Sequence, residues 1–160
     1  MEHTIRLGLL GCGNFGRNHY NEAKTVAGIQ IIAAYDPHPE KYCIFDGDPT
    51  VTLYDDYKEI LQREDIDGVI VASADQAHAK LTVDALRAGK HVLCEKPMAL
   101  ALEDCSSMIS AADQNGKVLM VGQVCRLTPS FVQAKQLVDA GAVSYTHLMC
   151  IRDSARSAVT

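Results

Sequence analysis

The 160-residue chain predicts an α/β fold built on a doubly wound parallel sheet. Three observations lead there. Short apolar runs rich in Ile and Val alternate with longer stretches of helical pattern. A glycine-rich turn follows the first apolar run and opens the first helical stretch. An aspartate closes the second apolar run, 20 residues beyond the last glycine of that turn.

The elements follow in order. Ile5–Leu10 reads as the first strand, ended by glycines, and Asn14–Ala27 as the first helix. Ile29–Tyr35 is the second strand and stops at Asp36-Pro37. Pro37, Pro39, Gly47 and Pro49 mark a loop region. Val51–Leu53 reads as a short third strand, Tyr57–Gln62 as a short helix and Gly68–Ala72 as a buried fourth strand. The helix His78–Arg87 ends at Gly89, where a glycine suits a helix C-terminus. His91–Cys94 is the fifth strand, Leu102–Gln114 a helix ended by Asn115-Gly116, Val118–Val124 the sixth strand and Phe131–Ala140 a last helix before Gly141.

Composition bounds the function classes. The chain is 48% hydrophobic and 22% charged, ordinary for a globular domain. A net charge of −5 provides no basic field for nucleic acid or an anionic membrane. No apolar run is long enough for a transmembrane helix, and the first strand starts too early for a signal peptide. A cytoplasmic protein is expected. The six cysteines, at 12, 43, 94, 105, 125 and 150, form no C-x-x-C pair. Reduced thiols therefore fit better than disulfides or a metal site.

Gly11-Cys12-Gly13-Asn14-Phe15-Gly16 matches G-x-G-x-x-G in a strand–turn–helix context. In that register Gly11 permits the tight turn, Gly13 lets a pyrophosphate approach the backbone, and Gly16 lets helix and strand pack closely. The N–H groups of Asn14 and Phe15 join the positive end of the helix dipole. Asp36 suits a ribose-binding acid: it accepts hydrogen bonds from adenosine ribose hydroxyls and repels a 2′-phosphate. No arginine follows it, so NAD is favoured over NADP. The fingerprint is that of a Rossmann dinucleotide domain. No Gly-Lys-Ser/Thr follows, which excludes a P-loop, and Leu9-Leu10 stands where methyltransferases more often carry an acid.

Downstream lies Ala88-Gly89-Lys90-His91-Val92-Leu93-Cys94-Glu95-Lys96-Pro97. With the glycine loop, this block resembles the Gfo/Idh/MocA oxidoreductases over nearly all of residues 4–142. The resemblance implies an NAD-dependent dehydrogenase of a sugar, inositol or related polyol. It places Ser73, in Ser73-Ala74-Asp75-Gln76-Ala77-His78, along the cofactor, with Ala74 and Asp75 standing where the family has proline and asparagine. It puts Glu95, Lys96 and Pro97 at the nicotinamide end, and Arg126 near the substrate. Lys96 is the candidate catalytic residue: an ammonium hydrogen-bonds the reacting oxygen and takes part in proton transfer. His19 is expected to be structural, and His78 to cap or pack.

The resemblance also implies a second, mixed α/β domain that begins after a G-x-[IV]-G turn. Gly141-Ala142-Val143 starts such a turn, and the remaining residues leave no room for a domain. The expectation is a dinucleotide-binding domain over 1–142 without its substrate domain, and a homo-oligomer only in a full-length parent. A stand-alone NAD(H) sensor without chemistry is the alternative. Residues 143–160 read as a non-native tail. Val143–Leu148 can be spelled GTC TCT TAT ACA CAT CT, whose reverse complement encodes Met149–Asp153. That inverted repeat resembles a transposase adaptor used for sequencing libraries. The competing reading is a seventh strand over Val143–Ile151.

Overall fold

The computed structural model describes residues 4–142. The chain divides into two compact units, Met1–Gly122 and Gln123–Thr160. The tail expected to be foreign falls outside the described residues.

The first unit holds six parallel strands: β1 (Ile5–Leu10), β2 (Ile29–Tyr35), β3 (Thr52–Tyr54), β4 (Gly68–Val71), β5 (His91–Cys94) and β6 (Leu119–Val121). Their spatial order is β3-β2-β1-β4-β5-β6. That is the doubly wound order of the Rossmann fold. The order reverses between β1 and β4, and such sheets bind ligands in the crevice beyond the strand ends at that point.

Strand residues alternate between two cores, except where a register shift in β2 puts the adjacent Ile32 and Ala33 on the same side. Leu10, Val69, Val71 and Cys94 face α2 (Tyr57–Gln62), α3 (His78–Arg87) and α4 (Leu102–Asn115), where Ile60, Leu86 and Met108 are fully buried. Leu9, Ile31, Ala34 and Ile70 face the other way and pack with Tyr20 of α1 (Asn14–Ala23) and with Phe45. The two apolar layers sandwich the sheet and hold its strand ends in register.

Boundaries differ from the sequence expectation where local hydrogen bonds compete. The first helix ends at Ala23 rather than Ala27. The Thr25 hydroxyl takes the Glu22 carbonyl, and Gly28 then turns the chain at φ 82°. Residues expected as loop contain a 3-10 helix, Pro39–Phe45, opened by proline. β3 lies one residue later than expected and β4 ends at Val71. The α4 helix runs one residue further, to Asn115, and closes on left-handed Gly116. Strand β6 shortens to three residues: Gly122 N–H still reaches the Cys94 carbonyl, but Val124–Leu127 coils into a 3-10 turn.

The second unit contains that turn and α5 (Pro129–Asp139). This helix starts two residues earlier than expected because Pro129 occupies its first turn, where a missing N–H costs nothing. Among the described residues no helix is long and apolar enough to cross a membrane.

Candidate functional site

Backbone closure defines the glycine loop. Gly11 has φ 108°, and a Cβ there would lie 2.5 Å from the Ala72 carbonyl group. The turn from β1 thus presses on the end of β4, with no room for a side chain. A Cβ on Gly16 would lie 2.1 Å from the Gly11 oxygen. The first turn of α1 therefore sits directly on the loop. Gly13 differs: its φ of −71° suits any residue, and a Cβ there would meet nothing within 4 Å. Two glycines close the turn and the third faces open space. Gly13 caps α1 without any side-chain acceptor, which leaves the first-turn N–H groups of Asn14, Phe15 and Gly16 for an external acceptor.

Asp36 sits beside this loop at 4% exposure. One carboxylate oxygen accepts the Cys12 N–H at 2.8 Å and the other the His38 N–H at 2.9 Å. The acid latches the loop to the end of β2. Lys41, from the 3-10 helix, brings its ammonium to 3.3 Å of the same carboxylate. The Tyr42 hydroxyl holds that helix in place: it donates to the Tyr54 carbonyl at 2.7 Å and accepts the Asp36 N–H at 3.1 Å. The cysteine inside the loop is inert, because burial and then the Asp36 charge push its thiol up to about 12.

At the other end of the crevice β5 delivers Glu95, Lys96 and Pro97, joined by a cis Lys96–Pro97 peptide. Glu95 is 7% exposed, and its carboxylate meets His19 Nε2 at 2.9 Å and accepts the Lys96 N–H at 3.1 Å. The Lys96 ammonium stands 4.5 Å from the centre of the Phe15 ring, a cation–π distance. His78 is fully buried, its Nδ1 2.7 Å from the Pro97 carbonyl oxygen and its Nε2 3.2 Å from that of Ser73. One imidazole thus spans the turns after β4 and β5. Ala74 keeps φ −66° and ψ 144°, angles a proline would also take, so the loop holds its course without one. Burial pushes the Cys94 thiol up to about 11, which rules it out as a ready nucleophile.

The structure therefore brings together Gly11, Gly13, Asn14, Phe15, Gly16, Asp36, Ser73, Glu95, Lys96 and Pro97 at the carboxyl ends of neighbouring strands β2, β1, β4 and β5. Arg126 lies in the other unit, on an exposed 3-10 turn where its N–H donates to the Gln123 carbonyl. Sequence reasoning missed Lys41, and it expected His19 and His78 as structural or packing residues without naming the partners they meet, Glu95 for His19 and the Ser73 and Pro97 carbonyls for His78. All three act across sequence gaps that no local pattern reveals.

The profile of the Gfo/Idh/MocA oxidoreductase family, with its NAD-binding Rossmann fold, matches residues 5–123. An inositol 2-dehydrogenase of Salmonella paratyphi B is 34% identical over 149 residues, covering 88% of this chain and 43% of the relative. The apo scyllo-inositol dehydrogenase of Lactobacillus casei superposes with a TM-score of 0.79 at 29% identity, over 90% of this chain and 44% of that one. A 3-ketoreductase from Actinomadura kijaniata, solved with NADP and TDP-benzene, gives a TM-score of 0.77 at 25% identity, over 89% and 44% of the two chains. The chain thus spans less than half the length of the relatives it matches.

Proposed function

Because this chain belongs to the Gfo/Idh/MocA oxidoreductase family with its NAD-binding Rossmann fold, we propose that it is the dinucleotide-binding part of a dehydrogenase acting on a sugar or polyol. The observation that carries this reading is the open space over Gly13 at the uncapped start of α1, between Asp36 and the turn bearing Lys96. These residues fit a nicotinamide dinucleotide. The N–H groups of the first turn of α1 hold the pyrophosphate, Asp36 takes the adenosine ribose, and Ser73, Glu95, Lys96 and Pro97 line the nicotinamide end. The cofactor, when bound, accepts or returns the hydride.

Lys96 does the polar work on the protein side. Its ammonium donates a hydrogen bond to the reacting oxygen, stabilises the negative charge that develops there and takes part in moving its proton. Phe15 keeps that ammonium at the edge of the crevice. The likeness to inositol dehydrogenases supports a polyol for this chain. In a protein of those relatives' full length, the remaining residues complete the substrate pocket and Arg126 contacts the substrate. This chain alone binds dinucleotide but turns over little. NAD is the preferred cofactor, because the buried Asp36 carboxylate opposes a 2′-phosphate.

A fluorescence titration with NADH tests the reading. The 160-residue chain binds NADH with a micromolar constant and NADPH more weakly. Lys96→Ala leaves NADH binding within about threefold, while the same change in a full-length relative lowers turnover by about a hundredfold or more. A folded chain that binds neither cofactor refutes the proposal.

A further inference from the structure

Phe15 and His19 stand four residues apart on α1 and so share one face. Both meet the turn that follows β5: Phe15 through the Lys96 ammonium, His19 through the Glu95 carboxylate at 2.9 Å. A carboxylate only accepts hydrogen bonds, so His19 Nε2 carries the proton it shares. Glu95 is nearly buried, and a buried charge is costly unless its oxygens are engaged. His19 serves one oxygen, and the Lys96 backbone N–H serves the other. The same carboxylate therefore joins the phosphate helix to the backbone of the proposed catalytic lysine.

We propose that His19 is a positioning residue: it holds Glu95 against α1 and thereby fixes the Lys96 turn where the nicotinamide end of the dinucleotide binds. This inference rests on the dinucleotide reading above. Without the imidazole, Glu95 turns toward water and releases the Lys96 N–H. The far side of the turn stays tied through His78 and the Pro97 carbonyl. The phosphate end keeps its shape, because Gly11, Gly16 and the Asp36–Cys12 bond make no use of His19. The defect is confined to one half of the ligand.

Calorimetric titrations of the 160-residue chain with NADH and with ADP-ribose, which lacks the nicotinamide, separate the two halves. His19→Ala weakens NADH about tenfold, in keeping with loss of one charge-assisted hydrogen bond, and ADP-ribose by less than about twofold. His19→Gln, whose amide still donates to Glu95, restores most of the NADH affinity. Glu95→Gln, which keeps the size and removes the charge, repeats the NADH-selective loss if the alanine variant does not fold. Equal losses for both ligands, or no loss for NADH, overturn the proposal. A wild-type chain that binds neither ligand refutes the dinucleotide reading itself.

Discussion

Replacing Gly13 and Gly16 separately by alanine tells a glycine kept for the ligand from one kept for the fold. At Gly16 the new Cβ would sit 2.1 Å from the Gly11 carbonyl oxygen, well inside the 3.4 Å at which ordinary contact begins. The obstacle is backbone, so α1 must move away from the loop. Overpacking of this kind costs about 1–3 kcal/mol, and a rigid backbone partner puts it near 3 kcal/mol. For a chain of this size that lowers the melting temperature by roughly 6–12 °C. At Gly13 the Cβ meets nothing and φ is already −71°. The loss of a favourable cap residue and the gain in chain stiffness nearly cancel, which leaves stability within about 1 kcal/mol. Yet the methyl group fills the space proposed for the pyrophosphate. NADH affinity should fall at least about tenfold, the equivalent of about 1.4 kcal/mol. Differential scanning fluorimetry and NADH titration on both variants read the two effects. If Gly13→Ala melts as early as Gly16→Ala, or binds NADH as tightly as the wild type, the reasoning fails.

Two further changes probe charged side chains, one beside the glycine loop and one beneath α1 at Tyr20. Lys41→Ala removes the cation 3.3 Å from Asp36. It should weaken NADPH at least about fivefold more than NADH in competition titrations, because a surface cation–phosphate contact is worth about 1 kcal/mol. At Asp48, hydrogen bonds from Thr50 and then Tyr20 hold the carboxyl well below its usual 3.8. The folded state thus binds this proton less readily than the unfolded chain. Its stabilising effect is complete above 3.8 and fades as the pH falls toward the folded value. Asp48→Asn should therefore melt lower than the wild type at pH 6, with the gap narrowing below pH 4; a gap that is constant with pH contradicts this assignment.

The strands and the glycine loop were legible because their signals are local. Ile29–Tyr35 and His91–Cys94 are apolar runs with punctuated ends, and both appear with those bounds. The spacing from Gly16 to Asp36 reflects one helix and one strand, so it placed Asp36 at the end of the second strand, beside the glycine loop, without any structure. What escaped the sequence depends on tertiary approach. Lys41 reaches Asp36 only because Pro39–Phe45 coils and Tyr42 pins it to β2 and β3, and a proline-marked stretch reads as loop. His19 and Glu95 are 76 residues apart, and nothing in either neighbourhood announces the other. His78 starts α3 as expected, but its contacts with the Ser73 and Pro97 carbonyls could not be read locally. Helix ends failed where a hydroxyl or a proline competed with the backbone, as at Thr25 and Pro129.

The central claim is that a nicotinamide dinucleotide lies across the crevice from the Gly13 loop to the Lys96 turn. Amide chemical-shift mapping of the isotopically labelled chain during titration with NAD tests it most directly. The account predicts saturable shifts concentrated at Gly11 to Gly16, at Asp36, at Ser73 and at Glu95 and Lys96. Shifts gathered instead at the opposite ends of the strands, around Gly68, Gly89 and Lys117, or the absence of any saturable shift, would contradict it.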